Sequence, residues 1–227
     1  AFWTPMTGSV LLGRSGSWLQ GKWPEWRTWP THALSGITEA GTPFSTARVR
    51  RRVMQIDGKV TDDVTNIQSR GAIGSEVDGG RAGRLHGKLA YARSFEADAE
   101  GLTITTEARF TGKDTITECY EILPVFIHDS KYQKSAASQT RIRFFAGGQW
   151  QDPDTTPTEE VEAIELQRFA GRVEIRFDQP RAVRLSPEPW QDDYQLRSIC
   201  RNIMIDLTDG DSPFKAGRVR YQIRKVD

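Results

Sequence analysis

The sequence predicts an all-β protein, an antiparallel two-sheet β-sandwich, and three observations carry that expectation. The first is alternation. In "LTITTEARF", Leu102, Ile104, Ala108 and Phe110 share one face, with Thr103, Thr105, Glu107 and Arg109 on the other. "RVEIRFD" (172–178) and "RVRYQIR" (218–224) alternate in the same way. A period of two marks strands with one face in a core and one in water, an arrangement that antiparallel sheets tolerate. The second observation is turn chemistry at short intervals: "DAEG" (98–101), "TGKD" (111–114), "QPR" (179–181) and "TDGDSP" (208–213). The third is the lack of a helical period. "TPTEEVEAIEL" (156–166) comes nearest, but Val161, Ala163 and Ile164 fit a helix only in part, and the β surroundings decide against one.

Along the chain, "WLQGKWPEWRTWPTH" (18–32) holds Trp18, Trp23, Trp26 and Trp29, four of the seven tryptophans, and ends on His32. Spacings of five, three and three, broken by Pro24 and Pro30, suit neither a long helix nor a regular strand. The segment reads as a loop or short irregular strands. Each tryptophan offers about 200 Å² of apolar surface, so most are expected to pack inward or at a domain interface. Trp26 and Trp29, with Arg27 between them, are the pair expected to face a sugar.

"STARVRRRV" (45–53) follows. As a strand it places Arg48, Arg50 and Arg52 on one face, where guanidiniums suit the carboxylates or sulfates of an acidic glycan. The plain alternative is a solvated strand face that also protects a sheet edge. Residues 71–87, with six glycines, read as a long loop joining sheets. Residues 88–127 then read as a three-stranded meander. No linker or repeat divides the chain, so one domain spans 1–227.

Composition narrows the function classes. Thirty-one Lys and Arg against 30 Asp and Glu argue against a generally basic surface for nucleic acid. No apolar run approaches the roughly 20 residues of a membrane-spanning helix. Cys119 and Cys200 lie in strand-like stretches, either as two buried thiols or as one bridge. Neither has a neighbouring His or Cys at ligand spacing, so no metal is expected, and with no phosphate-cradling glycine loop before a helix no cofactor is expected. Asp206, Asp209 and Asp211 are hard oxygen ligands, but Asp-Gly-Asp without a glutamate-terminated loop reads as a turn.

The stretch "YARSFEADAEGLTITTEARFTGKDTITECYEILPVFI", with its E-x-x-P segment at Glu121 to Pro124, resembles the hairpins of heparinase II/III-like polysaccharide lyases. "VRLSPEPWQDDYQLRSICRNIMIDL" followed by "GRVRYQIRKV" is similar to the closing strands of their C-terminal β-sandwich domains. The resemblance covers about the last two-thirds of the chain. It implies a supersandwich-like fold and an acidic polysaccharide cleaved by β-elimination. It also implies a missing α/α toroid partner domain, with this chain a piece of a larger protein, and a periplasmic or secreted location. No catalytic motif of that family maps onto this chain.

Elimination from a uronate needs a group to neutralise the carboxylate, a base, and an acid for the leaving oxygen. Of His32, His86 and His128, only His32 adjoins a binding-type segment, and it is the residue expected to be catalytic. A loop histidine is more often structural. His86 sits in the glycine-rich loop, and His128 reads as a turn residue at a strand end. A non-catalytic carbohydrate-binding or support module is the alternative of another class. A third reading comes from "SPFKAGRVRYQ" and "VMQIDG", which resemble segments of single-domain jelly-roll alginate lyases. Asp57 there stands where that family has a histidine, which would leave the active site incomplete.

Overall fold

A computed structural model describes residues 2–4, 8–11, 32–46, 53–61, 63–78, 85–129, 139–191, 198–208 and 213–226. Trp18, Trp23, Trp26 and Trp29 lie outside these residues, as do Arg48, Arg50 and Arg52. The described chain is almost entirely strand. It runs β1 (Phe2–Thr4), β2 (Gly8–Leu11), β3 (Ala33–Thr38), β4 (Pro43–Ser45), β5 (Val53–Val60) and β6 (Thr65–Ile73). One turn of helix, α1 (Ser75–Asp78), precedes β7 (Gly87–Asp98), β8 (Gly101–Gly112) and β9 (Ile116–Asp129). Then come β10 (Arg141–Ala146), β11 (Gln149–Gln151), β12 (Thr158–Arg168), β13 (Gly171–Leu185), β14 (Trp190–Gln191), β15 (Ser198–Asp206) and β16 (Ala216–Val226).

Every strand pair is antiparallel, and one continuous path, β1-β2-β9-β15-β13-β16-β8-β7-β6-β5, curls on itself to give the two layers of the sandwich. The alternation predicted which faces are buried. Ile104, Ala108 and Phe110 of β8, Val173, Ile175 and Phe177 of β13, and Val219, Tyr221 and Ile223 of β16 are all buried in one core. They meet Leu34, Leu123, Val125, Ile203 and Ile205 from β3, β9 and β15. The stretch "TPTEEVEAIEL" is strand, as its surroundings required; Val161, Ala163 and Ile164 of β12 are fully buried between β10 and β13.

Four local expectations are corrected. The meander fails at its third strand: β8 pairs with β7 and β16, while β9 pairs with β15, β3 and β2. "TGKD" is therefore a crossing between layers, because β16 takes the edge of β8 that a hairpin would have used. "QPR" is not a turn. β13 runs through it, pairing with β16 over Arg172–Phe177 and with β15 over Val183–Leu185. Of the segment read as a glycine-rich loop, Gly71 to Ile73 belong to β6 and Ser75–Asp78 form α1, while 79–84 lie outside the described residues. His128 lies within β9, opposite Ile199.

The "DAEG" turn holds: the Asp98 carboxylate accepts from the backbone N–H groups of Glu100 and Gly101, and Gly101 has φ +148°. Cys119 and Cys200 are both buried and free, which decides for two thiols. Burial pushes the Cys119 thiol far up, so it packs as a small apolar group.

Candidate functional site

Two features stand back to back on β7, β8 and β16. The first is buried. Leu89, Tyr91, Arg93 and Phe95 share the inner face of β7, which sets one arginine in an apolar stripe. Glu121 does the same on β9 among Cys119, Leu123 and Val125, and it is fully buried. The sandwich brings the two together, with Arg93 Nη2 donating to Glu121 Oε2 at 2.6 Å. His32 enters from the start of β3 with Nε2 at 2.6 Å from Glu121 Oε1. Thr106 and Tyr221 donate hydroxyls to the same oxygen at 3.1 and 3.3 Å. Arg93 Nη1 also reaches the His32 carbonyl at 3.3 Å, and Phe95 packs edge-on against the imidazole.

These contacts bear on protonation. Burial alone would raise the Glu121 carboxyl, but the Arg93 guanidinium and His32 outweigh it and hold it at about 2. Burial lowers His32 below its ordinary value, assisted by Arg93 and opposed by Glu121. The reason is simple: Arg93 already balances Glu121, so a protonated His32 would add an uncompensated buried cation. Neutral His32 donates from Nε2 to the carboxylate and carries its lone pair on Nδ1. With its side chain 13 % exposed, His32 is the group of the cluster able to exchange a proton. Glu121 is saturated by donors and orients it.

Acidification tests this. Both pKa values are lower folded than unfolded, so the unfolded chain binds more protons below about pH 6.5 for His32, and between pH 4.5 and about 2 for Glu121. The contribution of these two groups is therefore full above pH 6.5 and is lost as pH drops from there. Urea midpoints should decline steadily from pH 7 to pH 4, and His32→Gln should flatten the upper part of that decline. A midpoint that rises on acidification would argue for a charged imidazole instead.

The second feature is a groove of about 760 Å³ on the outer face of β5 to β8 and β16. Register builds it. Ala72, Ala90, Arg109 and Ala216 lie side by side across four strands, and Arg70, Ala92, Glu107 and Arg218 form the next row. Gln55 extends the second row onto β5. The floor is thus small side chains, bordered by Arg70, Lys88, Arg109 and Arg218 with one carboxylate, Glu107. Arg218 pairs with Glu107 and Asp178 at 3.4 Å each. Arg70, Lys88 and Arg109 have no ion-pair partner among the described residues. A smaller hollow of about 170 Å³ shares Arg70, Ala92 and Glu107 and adds Gln68, Ser94 and Thr105.

Of the residues singled out from sequence, the structure places His32 in the buried cluster, not in the groove. Nothing in the sequence alone marks Arg93, Tyr221 or the groove cations as site residues. Arg109 and Arg218 were legible as polar-face residues, but only register makes them neighbours. Among the described residues no group of His, Cys, Asp and Glu is placed to hold a metal ion.

No family model and no curated protein matches this chain. Solved structures are similar in fold at very low identity. One is a galactose mutarotase-like protein from Clostridium acetobutylicum, with 9 % identity and a TM-score of 0.48, covering 96 % of this chain and 86 % of that one. Another is an alpha-N-acetylgalactosaminidase from Bifidobacterium bifidum in its GalNAc complex, with 11 % identity and a TM-score of 0.45. It matches 84 % of this chain, which spans 30 % of that protein. A third is a GalM/aldose epimerase homologue from C. elegans, with 7 % identity, a TM-score of 0.39, and coverage of 87 % and 93 %. The heparinase II/III-like resemblance is corrected by these findings: none of the three is such a lyase. The order of strands and turns, with the E-x-x-P stretch at Glu121 to Pro124, carried that resemblance, and such order is shared by many antiparallel sandwiches.

Proposed function

We propose that this chain is a carbohydrate-binding β-sandwich domain whose outer-face groove takes an anionic glycan. The observation that supports it is the cationic border of Arg70, Lys88, Arg109 and Arg218 around an alanine floor. Each part has a chemical match in such a ligand. Guanidiniums and ammonium suit carboxylates or sulfates. The amides and hydroxyls of Gln55, Gln68, Ser94 and Thr105 suit ring hydroxyls. The alanine floor admits the C–H face of a pyranose. A groove open at its sides suits a chain of sugars more than an enclosed monosaccharide. The cluster behind it acts by position, clamping β7, β8 and β16 to β9 so that the groove keeps its shape.

Calorimetry against a polyuronate and a neutral glucan at low ionic strength tests the reading. Arg109→Ala should weaken polyuronate binding roughly tenfold, by removing a charge-assisted hydrogen-bond donor. Added salt should weaken it further. Equal affinity for the neutral glucan, or binding unchanged in Arg109→Ala, would sink the proposal.

A further inference from the structure

The β5–β6 hairpin ends the sheet, and β5 pairs with β6 alone among the described residues. Residues 55–60 are all exposed, on both faces. On the face shared with Arg93 and Phe95 the hairpin shows Ile56 at 60 %, Val60 at 72 % and Ile67 at 38 % exposure. Ile67 lies opposite Gly58, its side chain over the position a Cβ would occupy. On the groove face β5 presents Gln55, Asp57 and Lys59. An exposed apolar edge of this length is a template for another strand.

We propose that the partner is a second copy of this chain, joined by antiparallel β5–β5 pairing about a two-fold axis at Gly58. The charge pattern selects that register. With Gly58 opposite the partner's Gly58, Asp57 faces the partner's Lys59 and Lys59 faces the partner's Asp57. On the other face Ile56 meets the partner's Val60, twice, and the central glycines leave room for Ile67 and the partner's Ile67. Shifting the centre to Asp57 or to Lys59 sets like charges directly opposite, which is unfavourable. A lysine alone on an edge blocks pairing; a lysine two residues from an aspartate is self-complementary. Such a dimer is isologous and closed, so it stops at two copies. In-plane pairing also keeps Gln55, Asp57 and Lys59 of both copies on the side where the grooves open.

Sedimentation of the intact chain over roughly 1 to 100 µM provides the test. The wild type should show a concentration-dependent dimer. Asp57→Lys and Lys59→Asp each place like charges opposite one another twice, and each should raise the dissociation constant roughly tenfold or more. The double swap D57K/K59D restores opposite charges and should restore the dimer. A monomeric wild type at the highest concentration, a dimer untouched by either single change, or a double swap that stays monomeric would overturn the proposal.

Discussion

Replacing Glu121 with Ala is expected to cost about 3–5 kcal/mol of stability, the usual penalty for stranding a buried charge. Glu121 is fully buried and accepts from Arg93, His32, Thr106 and Tyr221, which come from β7, the start of β3, β8 and β16. Removing it leaves the Arg93 guanidinium, 9 % exposed, without its counter-charge and two hydroxyls without an acceptor. The same partners, Arg93 foremost, hold the Glu121 carboxyl well below its ordinary range against the effect of burial. The double variant Arg93→Leu/Glu121→Leu removes both charges together and should recover most of the loss. Urea unfolding measures all of these. A loss below about 1 kcal/mol in Glu121→Ala would mean that the cluster does not hold the layers together.

Gly36→Val should be comparably severe, for a steric reason. Gly36 sits in β3, where a Cβ would run into the Glu118 carbonyl oxygen of β9 and the Phe44 ring of β4. Backbone cannot move aside without breaking the β3–β9 ladder, and Phe44 is itself core. Overpacking of this kind costs about 1–3 kcal/mol, and the valine adds a branched side chain to a site already too small for alanine. Since His32 is held by the first residues of β3, the same change should alter the pH dependence of unfolding. A Gly36→Val chain with wild-type melting temperature would show that β3 does not pack this closely on β9.

The fold class was written in the alternation. Burial selects every second residue, and residues such as Ile104, Ile175 and Val219 stood out with no knowledge of their partners. Arg93 and Glu121 were not read as a pair from the sequence: each interrupts an apolar stripe on a different strand, and only the fold brings the two charges together. His32 was noticed for its surroundings, yet its partner lies 89 residues away.

What the sequence by itself determined is therefore local: which stretches are strands, which face is wet, and that a turn falls at Asp98 to Gly101. Only the tertiary structure decided which strands are neighbours. It placed β16 beside β8, carried β13 through Gln179 to Arg181 without a break, and set Arg70, Arg109 and Arg218 around one alanine floor. The reason is that a period of two fixes only a strand's own faces. Pairing and register depend on which edges remain free when the sheet curls over its core, and that is a property of the whole chain.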